Sequence, residues 1–261
     1  MFGAARLLPF FALLAFFLPA PAAAQEEKGW ILTLGGGVQT EADFPGADRQ
    51  DYYPWPLVGL RRAGAPEQFE AADDAIGIAL VGGNQGLRAG PLLQFHGGRG
   101  EDDIPGLPQV DFTVELGAFG EYLAGDDLRL RAELRHGVNG HEGLVADLTA
   151  DAIFGFETPL MLALGPRLRL AGASYNSAFF DVGPAAALAS GLAPYDAGGG
   201  LHSAGGAANL RYRLGGGWAL HAFAKYDRLL GDAGDSPIAR QAGSRDQYAG
   251  GVGLAYSFRI D

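Results

Sequence analysis

The sequence predicts an all-β protein: a transmembrane, antiparallel, up-and-down β-barrel of about twelve strands. Three observations predict it. Glycine is abundant, at 42 of 261 residues. Apolar and polar residues alternate with period two over runs longer than the roughly 5–6 residues of an ordinary strand. Aromatic residues close the apolar side of these runs, as in the girdles of outer-membrane barrels.

Composition excludes several other classes. The formal net charge is −11, with 19 Lys+Arg against 30 Asp+Glu, so the chain lacks the cationic excess that binds nucleic acid. There is no cysteine, which excludes disulfides and thiolate chemistry. A hydrophobic content of 48% excludes a disordered glycine-rich linker.

The first 24 residues have the pattern of a secretory signal peptide. The cation Arg6 precedes the apolar run Leu7–Leu18, and small residues end at Ala24. The alternative, a membrane anchor, would need a longer apolar helix of roughly 20 residues. We expect cleavage near Ala24, which leaves 25–261 as one outer-membrane barrel domain.

The strand pattern is clearest in the middle of the chain. Phe112, Val114 and Leu116 share one face, and Asp111, Thr113 and Glu115 share the other. After the turn 125–127 the next run repeats the pattern with leucine and arginine. Similar runs cover 144–156, 167–170, 203–213, 218–227 and 248–258.

One segment is ambiguous. Pro54, Pro56 and Pro66 interrupt the alternation between residues 52 and 81. A barrel with an even number of strands and both termini on one side gives about twelve strands if this segment spans. Ten strands are the alternative if it folds back.

A soluble β-sandwich would show the same alternation with shorter strands. Strand length and the aromatic ends favour the barrel. The aromatic residues in question are Phe112, Tyr122, Phe154, Phe156, Trp218, Tyr226, Tyr248, Tyr256 and Phe258. The apolar faces would then contact outer-membrane lipid.

Connection lengths orient the predicted barrel. Short turns lie at 82–86, 125–127, 157–159 and 214–217, and longer connections at 39–51, 98–109, 176–199 and 231–244. Short turns and both termini are expected in the periplasm, and long loops outside the cell.

The polar faces predict a charged lumen. The candidate luminal residues are Arg129, Arg131, Arg135, Arg211, Arg213, Glu115, Asp147 and Asp151, with Arg167, Arg169, Asp111, Glu121 and Glu133 as further members. Paired across neighbouring strands, these side chains would fill a barrel of this size. A filled lumen favours a scaffold or receptor over an open porin, and a narrow channel for small solutes is the alternative.

Catalytic and metal sites are not expected. His202 and Ser203 are adjacent in a predicted strand and therefore face opposite sides. The other candidate histidines are His136, His141 and His221. None has the spacing of a nucleophile and its base or of a metal site, and no glycine motif indicates a nucleotide cofactor.

Loop sequences carry a family resemblance. Residues 229–238, LLGDAGDSPI, follow Tyr226-Asp227-Arg228, and residues 179–182, 189–196 and 198–200 form a second match. Residues 43–46 with 54–56, and 98–102, match more weakly. These motifs resemble the MipA/OmpV family of outer-membrane proteins over essentially the whole mature chain. One departure is that Phe258 is followed by Arg259-Ile260-Asp261 instead of ending the chain.

The resemblance implies a non-enzymatic outer-membrane barrel that scaffolds murein synthesis. Its implied partners are a periplasmic lytic transglycosylase and a penicillin-binding protein. Adhesin or receptor and drug-related roles are implied for some members.

The loop 231–244 is the most family-specific segment. Asp232, Asp235, Ser236 and Pro237 favour turns. We expect them to fold inward as a plug that meets luminal arginines, with an external recognition surface as the alternative.

Overall fold

A computed structural model describes residues 29–83 and 85–261 of the chain. The predicted signal peptide and its cleavage near Ala24 lie outside the described residues. The described residues form one antiparallel sheet. Its eleven strands are β1 Trp30–Ala42, β2 Gln50–Arg62, β3 Ile76–Gly77, β4 Gly86–His96, β5 Thr113–Ala124, β6 Leu128–Gly137, β7 Leu144–Phe154, β8 Leu160–Ala171, β9 Gly200–Gly215, β10 Trp218–Leu229 and β11 Asp246–Ile260.

Helices occur only in two long connections of the described chain. Between β8 and β9 lie α1 Ala173–Phe180 and α2 Pro184–Ser190. Between β10 and β11 lie α3 Gly231–Asp235 and a π-helical turn, Ile238–Ala242. No helix of the described residues is both long enough and apolar enough to cross a membrane.

The strands follow an up-and-down order. β3 to β11 pair in sequence, and β11 then pairs with β1, which pairs with β2. Trp30 therefore lies opposite Ile260. The start of β1 and the end of β11 thus lie side by side at one end of the barrel. The sheet curls around a lumen, with β2 and β3 as its two free edges.

The two faces of the sheet confirm the period-two prediction. On β6, Leu130 and Leu134 are 45% and 57% exposed, whereas the intervening Arg131 is buried. Apolar side chains thus cover the outside of the barrel and charged ones its inside, the reverse of a soluble protein.

Aromatic side chains form a belt near each end of the outer face. The belts contain four ring pairs with centroids 4.9–5.9 Å apart: Trp218–Tyr256 and Tyr256–Phe258 at one end, and Phe95–Phe112 and Tyr226–Tyr248 at the other. Phe156 departs from the prediction, because it packs on the luminal cluster around Met161 and Ile153.

The predicted short turns and long connections lie at opposite ends of the barrel, but the long segment 63–75 begins at the end where the short turns lie, because Arg62 at the end of β2 pairs with Trp30. The turns 125–127, 155–159 and 214–217 lie with the described termini at what we call the short-turn end. The connections that contain the helices lie at the opposite, long-loop end, where the main apolar core is built around Tyr175, Phe179 and Phe180.

The strand number of about twelve, or ten, is not confirmed, since the described residues form eleven strands. The ambiguous region neither spans twice nor folds back entirely. β2 spans, residues 63–75 turn into the lumen, and β3 then runs along β4, with backbone hydrogen bonds continuing as far as Val81. β2 and β3 consequently point in the same direction, which departs from strict alternation.

Candidate functional site in the barrel lumen

Inward arginines of β6 form a buried network with carboxylates on both neighbouring strands. Arg129 Nε donates to Glu121 on β5 over 3.0 Å, and Arg129 Nη1 donates to Asp151 on β7 over 3.1 Å. These residues face the lumen because each occupies the polar phase of its strand. All three are buried, so the pairs stabilise one another where water is excluded.

A second group lies nearer the long-loop end. Arg135 Nε donates to Glu115 over 2.7 Å, and its Nη2 donates to Asp147 over 2.5 Å. Asp147 also accepts from Arg169 Nε over 2.7 Å. Arg131 joins the two groups, because it donates to Glu121 over 3.1 Å and to Glu133 over 2.7 Å, and Glu133 also accepts from Arg135. The structure therefore brings the predicted luminal residues of β5, β6 and β7 into one connected network: Glu115, Arg129, Arg131, Arg135, Asp147 and Asp151.

The luminal segment 63–75, which we call the strap, adds carboxylates to this wall. Asp73 receives two hydrogen bonds from Arg167, of 2.8 and 3.2 Å. Asp74 accepts from Arg129 Nη2 over 2.5 Å. Glu67 bridges Arg211 and Arg213, with 2.6 Å from Arg213 Nη2 to Oε2. The strap therefore neutralises four arginines from three strands, β6, β8 and β9.

Sequence reasoning missed the strap. Its largest apolar anchor, Phe69, packs with Ala71 against Ile153, Met161 and Ala163 on the inner wall. Asp73 and Asp74 are a weak sequence signal for a segment inside the lumen. They are two adjacent carboxylates in a stretch without strand alternation, and such carboxylates can pair with luminal arginines. Their arginine partners lie far away in sequence, so no local pattern reveals the pairing.

The strap divides the lumen into two cavities. The short-turn cavity has a volume of about 640 Å³ and is lined by Trp55, Leu57, Arg211 and Arg213 among others. The long-loop cavity has a volume of about 510 Å³ and is lined by polar groups that include His96, Tyr175 and Lys225. Ala72 of the strap lines both.

A cap of helices and loops covers the long-loop end. Arg99 is buried beneath α1 and donates to the carbonyl oxygens of Phe179 over 2.6 Å and Pro108 over 3.0 Å. Burial lowers the pKa of Arg99 to about 10, with Asp103 opposing the shift. The guanidinium thus fastens the loop 97–112 to the C-terminal end of α1.

The family-specific loop belongs to this cap. Ser236 is buried and donates to the carbonyl oxygen of Phe180 over 2.6 Å. Asp232 accepts from the Gly198 backbone N–H over 2.7 Å, and Pro237 is buried beside Ser236. Asp235 is exposed, with Arg240 at 3.8 Å. These contacts join the loop to α1 and the 182–199 connection, not to the luminal arginines.

The histidines do not meet a serine nucleophile. His141 Nε2 lies 2.9 Å from Glu115, and its Nδ1 accepts from the Gly143 backbone N–H over 3.0 Å. His202 Nδ1 contacts the Asn176 side-chain oxygen over 2.9 Å. His136 is exposed, and His221 lines the short-turn cavity. Within the described residues, no group of three metal-ligating side chains forms a cation site.

Comparison with known proteins gives structural neighbours of low similarity. The N-terminal β-barrel domain of Pseudomonas aeruginosa OprF is 16% identical, with 67% of this chain and 98% of that chain covered and a TM-score of 0.29. Neisserial surface protein A is 10% identical, with 88% and 100% covered and a TM-score of 0.28. The Acinetobacter baumannii outer membrane channel DcaP is 8% identical, with 88% and 96% covered and a TM-score of 0.39.

These TM-scores are too low to bear on the strand number or the function of this chain. No curated protein matches the sequence. The family comparison does identify the chain, because the match to one family extends over nearly every strand. Residues 34–258 match the family described as MltA-interacting protein MipA, which confirms the resemblance carried by the loops, and the chain belongs to that family.

Proposed function

We propose that the mature chain is an outer-membrane barrel that holds murein-processing enzymes at the membrane. One observation supports the placement in a membrane: the leucine side chains of β6 lie on the outer face of the barrel, and its paired arginines lie inside. An apolar outer face between two aromatic belts matches the hydrocarbon core of a bilayer and its two interfaces.

The proposed partner class follows from the family. Its description names an interaction with MltA, and we infer a periplasmic lytic transglycosylase as partner, together with a penicillin-binding protein. The short-turn end would face the periplasm and carry this contact. We propose no catalysis by the barrel itself.

A pull-down tests this function. The full barrel, extracted in detergent and immobilised, is incubated with a lytic transglycosylase and a penicillin-binding protein, with an unrelated barrel as control. Retention of the transglycosylase by this barrel alone supports the proposal. Equal retention by both barrels, or by neither, contradicts it.

A narrow channel is the second candidate. It is favoured by the two cavities, which lie on either side of the strap and share Ala72 as a lining residue. Stable single-channel steps in planar bilayers would support conduction, and a silent bilayer would support a sealed scaffold.

A further inference from the structure

We propose that the short-turn cavity binds a long-chain carboxylate, an amphiphile with one alkyl chain and one anionic head, which enters sideways from the membrane between β2 and β3. The site combines an opening in the barrel wall, a cavity behind it that both apolar and polar side chains line, and a pair of guanidinium groups.

The opening follows from the free edges of the sheet. Among the described residues, no hydrogen bond joins β2 to residues 76–81. β2 contains Pro54 and Pro56, which pair with Val38 and Gly36 of β1. Proline has no N–H to give to a further strand and is found in sheets at edges. These two residues therefore favour a permanently free edge at β2.

Apolar side chains line both sides of the opening. Val58 and Leu60 on β2, and Ile78 and Leu80 beyond β3, are each exposed by more than half. The short-turn cavity is lined by Leu60 from the outer face and by Trp55 and Leu57 from the inner face. The cavity thus reaches the edge of β2, where Trp55, Val58 and Leu60 offer an alkyl chain apolar contacts, and it is also lined by Arg61 and Glu70.

The anionic head has a site prepared by Glu67. Its carboxylate bridges Arg211 and Arg213, which lie two residues apart on β9. Arg213 and Glu67 remain about one-third exposed to the cavity, at 35% and 37% of their side chains. A carboxylate already lies between these guanidiniums, so the geometry accommodates that chemical group.

The same wall has hydrogen-bond donors to spare. Arg211 Nε and Asn209 Nδ2 are buried without a hydrogen-bond partner among the described residues, and both residues line the cavity. Buried donors normally have partners. A ligand carboxylate in the cavity could accept hydrogen bonds from these two donors after small side-chain movements.

Glu67 acts in this account as a tethered competitor. An incoming carboxylate displaces it from Arg213 and Arg211, and the alkyl chain covers Trp55 and Leu57. Because Glu67 belongs to the strap, occupancy also releases the end of the strap nearest the short turns. Binding and strap position are therefore coupled.

The experiment uses Trp55 as a reporter. The chain has three tryptophans, so Trp30→Phe with Trp218→Phe leaves Trp55 as the single emitter. The protein is reconstituted in phosphatidylcholine vesicles and titrated with dibromostearate, with the matching dibromo alcohol, and with a brominated lysophosphatidylglycerol. Heat-modifiability on gels shows that each variant is folded.

We expect dibromostearate to quench Trp55 saturably and the alcohol to quench it only in proportion to its membrane content. Glu67→Gln should tighten carboxylate binding several-fold, and Arg213→Gln should weaken it about tenfold, as for the loss of one charge-assisted hydrogen bond. Arg228→Gln, at an exposed ion pair of the long-loop end, is the charge-matched control and should change nothing.

Three results would overturn the proposal. Equal saturable quenching by the alcohol would show an apolar cavity without an anion site. Preference for the lysophospholipid would assign the site to phosphate instead of carboxylate. Unchanged affinity in folded Glu67→Gln and Arg213→Gln would remove both residues from binding. None of these outcomes depends on retention of murein enzymes.

Discussion

Asp73 and Arg167 join the strap to the barrel wall through two hydrogen bonds, although 94 positions separate them in the sequence. Lys225 on β10 lies 3.5 Å from the same carboxylate. Asp73 therefore connects the strap with two different strands, and it does so at the narrow region between the two cavities.

The first prediction concerns this contact. Asp73→Asn should lower the free energy of unfolding by about 1–3 kcal/mol, because Arg167 and Lys225 lose a shared charged partner. Urea unfolding of the protein in detergent micelles measures the change. Asp235→Asn removes an equal charge at an exposed site and should have almost no effect; comparable losses in the two variants would contradict the role of Asp73.

The second prediction concerns the outer face. Leu134→Arg should destabilise the inserted barrel by about 2–4 kcal/mol, the cost of a lipid-facing arginine near the bilayer middle. Leu188→Arg, at a fully exposed position of α2 in the cap, should cost almost nothing. Reversible unfolding from lipid vesicles gives both values. Similar stabilities for the two variants would mean that β6 does not face lipid.

The third prediction separates two possible plugs. A strap variant with Glu67→Gln, Asp73→Asn and Asp74→Asn should raise conductance, since it weakens the anchors of the segment between the cavities. The sequence alone predicts that Asp232→Ala with Asp235→Ala raises conductance and leaves folding and heat-modifiability intact. The structure places these two residues among cap contacts, so we expect the smaller increase from them.

Planar bilayer recordings of both variants decide between the plugs. A larger increase in conductance for the Asp232 and Asp235 variant would show that the loop 231–244, and not the strap, closes the lumen. Loss of binding to an external ligand with flat conductance would instead make that loop a recognition surface.

The fourth prediction concerns the cap. Arg99→Met removes the donor to the Phe179 and Pro108 carbonyl oxygens and should make local opening of the cap easier by roughly 2–3 kcal/mol. Limited proteolysis of the folded barrel should then cut faster within 97–112 and 181–199. Arg240→Gln, at an exposed site, should leave the cleavage pattern unchanged, and equal protection of Arg99→Met would contradict the role of Arg99.

The sequence was most informative where local periodicity and global fold agree. In β5 and β6, each residue's position in the alternation determines its face, so Leu130 outside and Arg129 inside could both be predicted. The positions of the long and short connections follow from the same strands. The register of β6 with β5 and with β7 then determines that Arg129 lies within reach of Glu121 and Asp151.

The strap and the cap could not be predicted in this way. Residues 63–75 have no period, and the ion pairs and apolar contacts that hold them are made with strands far along the chain. The expected even number of strands came from a general rule for barrels. The described sheet has eleven strands, and Pro54 and Pro56 favour an unpaired edge at β2. In the cap, α1 is held by Arg99 and Ser236, two contacts between separate loops that no local pattern signals.

Site-directed spin labelling along β6 determines which side chains of this strand face lipid. Because the chain has no cysteine, single cysteines at positions 128 to 136 can be labelled in the otherwise unchanged protein and reconstituted in lipid. We expect collisions with oxygen, which concentrates in lipid, at 128, 130, 132 and 134, and little access at 129, 131, 133 and 135. Access of a water-soluble nickel complex to the even positions, or no alternation at all, would contradict a barrel with leucines toward lipid and arginines toward the lumen.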